Sequence, residues 1–215
     1  MAKILQVPVN PCPSLLEEII HCVAHGGVLA VATESFYALA GSATHSEAVS
    51  RVARIKGGPN PKPILVLIGD RRQLTHLVSS LPPHADLLFD HFWPGPLTVV
   101  LSALPDLSPD LTAGTGTVGI RQPGNSKLLW LLQGVGPLTG TSANRSGAPP
   151  PRTAQEVQKT LGDEVDLIID DGPTPGGKPS TVLNLFREIR ILREGPISKE
   201  EIRTALASKG FTLED

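Results

Sequence analysis

Apolar residues recur along this chain with two different periods, and the alternation between them outlines an α/β protein. Leu15, Leu16, Ile19, Ile20 and Val23 fall at helical spacing in LLEEIIHCVAHGG, with Ser14 positioned to cap the helix and Gly26-Gly27 to end it. The next run, VLAVAT, is short and wholly apolar, which predicts a strand buried on both faces with Thr33 and Glu34 at its C-terminal end. SEAVSRVARIK repeats Ala48, Val49, Val52, Ala53 and Ile55 on one helical face and brings Lys56 to the start of a Gly57-Gly58-Pro59 loop. ILVLIG reads as a second buried strand. A helix around RRQLTHLVSSL follows, up to the Pro82-Pro83 break.

Downstream, LTVVLSAL and TVGIRQP read as strands, the second delivering Arg121 near its end. SKLLWLLQG is a short helix, and PLTGTSANRSGAPPP a hydroxyl- and proline-rich loop after a brief strand. TAQEVQKTLG is a helix with Thr153 as cap and Glu156 in the capping-box position. VDLIIDDG, STVLNL and REIRILREG are three further strands, before a closing helix capped by Ser198. Because several strands are adjacent in order, the pattern predicts a twisted mixed sheet with packed helices, in one domain of residues 1–215.

Composition narrows the function. The 215 residues are 40% hydrophobic and 19% charged, an ordinary globular balance, and the 4% aromatic content leaves the core to Val, Leu, Ile and Ala. A net charge of -2 provides no whole-protein field for gathering nucleic acid. Cys12 and Cys22 lack metal-ligand spacing, and the six histidines share no spacing that suggests a metal site or a catalytic triad, so no metal ligands are assigned. No secretory leader pattern and no run of about 18 apolar residues is present, so the sequence is read as cytoplasmic and without a membrane partner.

Polar residues collect where apolar strands end, the place at which open α/β sheets bind ligands. Thr33-Glu34-Ser35 fits such a site, and also simple turn chemistry. In KGGPNPKP, Lys56 and Lys62 flank free backbone N–H groups suited to phosphate oxygens, although the spacing is not that of a Walker A loop and a solvated loop fits equally. TGTSANRSG concentrates Thr139, Thr141, Ser142, Asn144, Arg145 and Ser146, which fit an ordinary surface loop and, because they directly follow an apolar strand, also donors to a nucleotide phosphate. Arg121 and Arg193 each follow apolar residues, where a charge needs an anionic partner. Ser180-Thr181 follows another glycine-rich turn.

Taken in order, ATESFYALA, RIKGGPNPKP, WPGPLTVVL, TVGIRQP, TSANRSG, STVLNL and ILREGPI resemble the YrdC family of threonylcarbamoyl-adenylate synthases from about Leu15 to about Leu206. WPGPLT and TSANRSG are the most specific pieces. The resemblance implies a large concave cavity holding ATP and L-threonine side by side, and a reaction in which threonine and bicarbonate form a carbamate that attacks the α-phosphate of ATP. The products would be threonylcarbamoyl-adenylate and pyrophosphate, with Mg²⁺ sharing the work. It also implies a partner enzyme that receives the adenylate for tRNA adenosine-37 modification, with at most weak tRNA binding by this chain.

By the same resemblance, Thr33, Arg121 and Ser180 would contact threonine, with Arg121 clamping its carboxylate. Lys56, Lys62, Thr117, Ser142, Asn144 and Arg193 would bind ATP, and Lys56 and Arg121 would carry the catalytic electrostatics. The chain departs from the family pattern at Gly58, where an arginine is expected, at Ala32 and Ala38 around the threonine motif, and at Leu67, where long members carry a histidine. Two other readings stand beside the synthase, the first from a different class. One is a nucleotide- or RNA-binding module of the same fold with weakened catalysis. The other is an enzyme using a different carbamoyl donor, as the related domain of hydrogenase maturation proteins does.

Overall fold

A computed structural model describes residues 1–58 and 62–214 of the chain. Two mixed sheets replace the single sheet expected. The first runs in the order β1, β9, β2, β3, β8, from strands Lys3–Gln6 (β1), Val28–Ala32 (β2), Tyr37–Gly41 (β3), Thr141–Ser142 (β8) and Leu167–Asp170 (β9). The second runs β11, β10, β5, β6, β4, β7, from Val66–Leu67 (β4), Leu97–Ser102 (β5), Thr117–Arg121 (β6), Leu138–Thr139 (β7), Thr181–Asn184 (β10) and Arg190–Arg193 (β11). β1, β9 and β2 are parallel, whereas β2, β3 and β8 are antiparallel.

β2 shows why its residues form a doubly buried strand. Val28, Ala30 and Ala32 face the larger core with helix α2 (Ser46–Lys56) and the second sheet, while Leu29 and Val31 face a smaller core with helices α1 (Pro13–Ala24) and α5 (Ser126–Val135). Each fully buried Leu or Val contributes on the order of 1.5–3 kcal/mol through area removed from water.

The two sheets are stitched together between residues 138 and 142. Leu138 and Thr139 pair with β4, Gly140 N–H donates to Leu65 O at 2.7 Å, and Thr141 and Ser142 pair with β3. Glycine is needed at the crossing, since a Cβ on Gly140 would sit 2.5 Å from Leu67 Cγ. The buried Thr139 hydroxyl accepts from Gly41 N–H and donates to Leu39 O, closing the seam.

Several elements differ from the sequence reading. Helix α1 is not capped by Ser14: it begins two residues earlier, with Cys12 at the N-cap giving no side-chain bond and Pro13 at the first position, where a missing N–H costs nothing. Residues Arg71–His76 form a 3-10 helix capped by Asp70, with Leu74 its one buried residue, too narrow an apolar face for an α-helix. β1, β3, β8 and the helices α3 (Ala85–Phe92) and α4 (Pro109–Thr112) were not among the expected elements. Thr153 and Ser198 cap α6 (Ala154–Leu161) and α7 (Lys199–Ala207) as expected; the full capping box forms only at Ser198, because Glu156 reaches Arg152 N–H instead of Thr153 N–H. No helix among the described residues is long and apolar enough to cross a membrane.

Candidate functional site

A cavity of about 780 Å³ opens between the sheets, of the size that takes a small-molecule ligand. Its floor follows from strand alternation. On β6 the residues Thr117, Gly119 and Arg121 line the cavity while Val118 and Ile120 enter the core. β5 does the same with Thr98 and Val100, and the β10 segment with Ser180 and Val182. Small and hydroxyl-bearing residues on these faces leave the volume empty. The walls come from Lys56, Gly57, Gly58 and Lys62 on one side, and from Gly140, Thr141, Ser142 and Ser146 on another.

Arg121 sits at the buried end, 6% exposed. Its Nε donates to Gly95 O at 2.9 Å, and its Nη2 meets Glu34 Oε1 at 2.6 Å. Burial pulls the guanidinium below its usual range, and the Glu34 carboxylate acts against that fall. The partner carbonyl explains the WPGPLT motif. Gly95 N–H donates to Gln122 O and Trp93 Nε1–H donates to Leu97 O, and these bonds hold the turn with Gly95 O aimed at Arg121.

Beside Arg121 lies a second buried polar group. Ser180 Oγ and Thr98 Oγ1 are 2.7 Å apart, and Arg193 donates to Ser180 O through Nε and Nη2, at 3.2 and 2.9 Å. Burial also lowers the Arg193 pKa. Thr98 went unnoticed in the sequence, although its position on the Val100 face of an otherwise apolar strand was the available signal.

Lys56 closes the opposite side. Its Nζ donates to Ser142 O and Asn144 O at 2.8 Å each, with Ser142 Oγ at 3.2 Å and Asn144 Oδ1 at 3.3 Å. Burial lowers its pKa to about 8. The lysine therefore holds the TSANRSG loop, and Ser146 N–H returns a bond to Lys56 O. Lys62 lies exposed on the rim.

Of the residues singled out in the sequence, Lys56, Lys62, Thr117, Arg121, Ser142, Ser180 and Arg193 line one cavity. Thr33 and Asn144 are not among its lining residues. The Thr33 hydroxyl donates to Phe36 O and accepts from Ser35 and Phe36 N–H, so it shapes the turn that brings Ser35 and Phe36 to the cavity. The Asn144 amide donates to Arg145 O and Ala148 O, stapling its own loop. Pro59, Asn60 and Pro61 of the basic loop lie outside the described residues.

Guanidinium, ammonium and hydroxyl groups converge on one concave cavity of a two-sheet α/β protein, a chemistry suited to small anionic ligands such as carboxylates and phosphates. Residues 21–195 match the Sua5/YciO/YrdC family model, whose description reads telomere recombination, and the chain belongs to that family. A Bacillus subtilis protein named threonylcarbamoyl-AMP synthase is 41% identical over 182 residues, 83% of this chain and 53% of its own length. The chain thus spans about half of that relative. A Mycobacterium tuberculosis protein named putative threonylcarbamoyl-AMP synthase is 36% identical over 195 residues, 90% of each.

Among solved structures, Pyrococcus abyssi Sua5 complexed with L-threonine superposes with a TM-score of 0.88 at 31% identity, covering 98% of this chain and 62% of its own. Escherichia coli YciO superposes at 0.81 with 27% identity, covering 94% and 99%.

Proposed function

We propose that this chain makes threonylcarbamoyl-AMP and pyrophosphate from L-threonine, bicarbonate and ATP, and passes the adenylate to a partner enzyme for tRNA adenosine modification. The observation that carries the reading is that the buried guanidinium of Arg121, suited to a carboxylate, lines the same cavity as Lys56, Lys62 and Ser142, which suit phosphates. The names of the Bacillus and Mycobacterium relatives and the L-threonine complex of the Pyrococcus protein support it.

In this reading Arg121 takes the threonine carboxylate, with the Ser180–Thr98 hydroxyl pair beside it. Threonine amine and bicarbonate condense to the carbamate with loss of water. A carbamate oxygen attacks the α-phosphorus, the bond to the bridging oxygen breaks, and pyrophosphate leaves. Lys62, Thr117, Ser142 and Arg193 supply charge and donors to the nucleotide, and Lys56, through Asn144 and Ser142, keeps the loop in place. Thr33 contributes through the turn it shapes.

Catalysis is then positioning and electrostatic stabilisation, with no covalent enzyme intermediate. Among the described residues no group of three or more His, Cys, Asp or Glu is placed to hold a metal, so Mg²⁺ is read as part of the MgATP substrate. With a net charge of -2, tRNA contact by this chain alone is weak and salt-dependent.

Incubation with ATP, L-threonine, bicarbonate and Mg²⁺, followed by chromatography, should show a threonylcarbamoyl adenylate and one equivalent of pyrophosphate. Pyrophosphate release that ignores threonine or bicarbonate would sink the reading. A second reading, a nucleotide-binding module without turnover, is favoured by one feature: Gly58 stands where an arginine is expected, with a backbone φ of 107°. It predicts ATP binding with no pyrophosphate.

A further inference from the structure

The Glu34 carboxylate has no place in the reaction above, yet it is joined to the residue that matters most there. It is not among the cavity-lining residues and lies against Arg121. Its Oε1 accepts from Gly124 N–H and is ion-paired with Arg121 Nη2, each at 2.6 Å. Its Oε2 is buried and has no hydrogen-bond partner.

The edge of the guanidinium that these contacts occupy is informative. Nε and Nη2 lie on one edge of the planar group, and that edge is filled by Gly95 O and Glu34 Oε1. Nη1, which with Nη2 makes the end-on edge, has no hydrogen-bond partner among the described residues. A carboxylate approaching from the cavity therefore finds a single bidentate face.

We infer that Glu34 is a positioning residue for the amino-acid site, holding Arg121 by its side edge so that only the end-on edge is offered to the substrate carboxylate. The inference rests on the threonine reading given above. Glu34 also balances the charge of Arg121 while the site is empty, which explains a carboxylate where an amide could accept the same two bonds. Leaving Oε2 without a donor is the cost of that charge.

The test compares L-threonine with L-threoninamide, which lacks the carboxylate, by calorimetry on the full chain with ATP affinity as control. Wild type should prefer threonine. Glu34→Ala should weaken threonine binding by roughly tenfold or more and erase the preference, while ATP affinity stays within about twofold. Glu34→Gln keeps an oxygen for both donors and should retain the preference within about threefold. Glu34→Asp, one methylene short, should fall between.

If wild type binds threonine and Glu34→Ala discriminates as well as wild type, the inference is overturned while the functional reading survives. If wild type binds ATP but not threonine, both fall. Should Glu34→Ala fail to fold, the Asp variant decides: discrimination equal to that of wild type refutes the positioning role.

Discussion

Replacing Gly58 by arginine restores the side chain that the family pattern expects, and the structure predicts that the change harms the protein. A guanidinium bridging two phosphate oxygens could raise kcat/KM for ATP by about tenfold, or about 1.4 kcal/mol. Against this stands the backbone. Gly58 has φ 107°, where any L side chain costs roughly 1–3 kcal/mol. An added Cβ would also lie 3.1 Å from Ser146 Oγ and 3.2 Å from Ser146 Cβ. Ser146 cannot give way freely, because its N–H is bonded to Lys56 O at 2.8 Å.

Over most of that range the cost exceeds the gain, before the contact with Ser146 is added. Gly58→Ala separates the two terms, since it carries the strain without the guanidinium. Both variants should lose roughly 1–3 kcal/mol of stability, a fall in melting temperature of about 2–12 °C for a domain of this size. Neither should gain on ATP. Thermal unfolding with ATP titration and adenylate assay is the measurement. A Gly58→Arg protein as stable as wild type and tenfold better with ATP would refute the reasoning.

Three further outcomes are expected. Arg121→Ala should cost on the order of 2–4 kcal/mol in threonine binding, and partly more through the unpaired Glu34 it leaves behind, read by calorimetry with threonine and ATP in turn. Lys56 has its pKa lowered to about 8, so the ammonium that holds the Ser142–Asn144 loop is lost as pH rises through that value. ATP affinity should therefore decline between about pH 8 and 9, although burial of the charge itself destabilises the fold and deprotonation relieves that part, since the unfolded state binds more protons between about 8 and 10.5; Lys56→Arg should remove the inflection. Gly95→Ala places a Cβ 2.5 Å from Phe92 O, so the turn must move and take its carbonyl from Arg121, and threonine affinity should fall more than ATP affinity in parallel titrations.

Much of this was readable before any coordinates. The alternation in TVGIRQP placed Arg121 at a strand end, and the helical face of SEAVSRVARIK placed Lys56 at a helix end. Clustering of hydroxyls after an apolar strand pointed to the loop that Lys56 holds. What was not readable depended on long-range geometry. β3 is YALAG, mostly small residues with little strand preference of their own, stabilised by pairing on both sides with β2 and β8. Thr33 and Asn144 have side chains of the right chemistry, but local backbone groups claim them. Glu34 stood in a cluster noticed for other reasons, and its meaning appears only when Arg121, 87 positions later, is folded against it.

The pairing of β9 between β1 and β2 governs how the chain must be built. Lys3 lies opposite Leu167, and Leu29 opposite Leu167 from the other side. Until residues Leu167–Asp170 have been made, the edge of β2 that pairs with β9 has no strand beside it, and an unpaired edge invites pairing with other chains. Sheet closure waits for a segment made late in synthesis. The nascent chain therefore depends on shielding of that edge for the greater part of its translation, and slow decoding upstream of codon 167 should lower the yield of native protein more than the same delay placed after it.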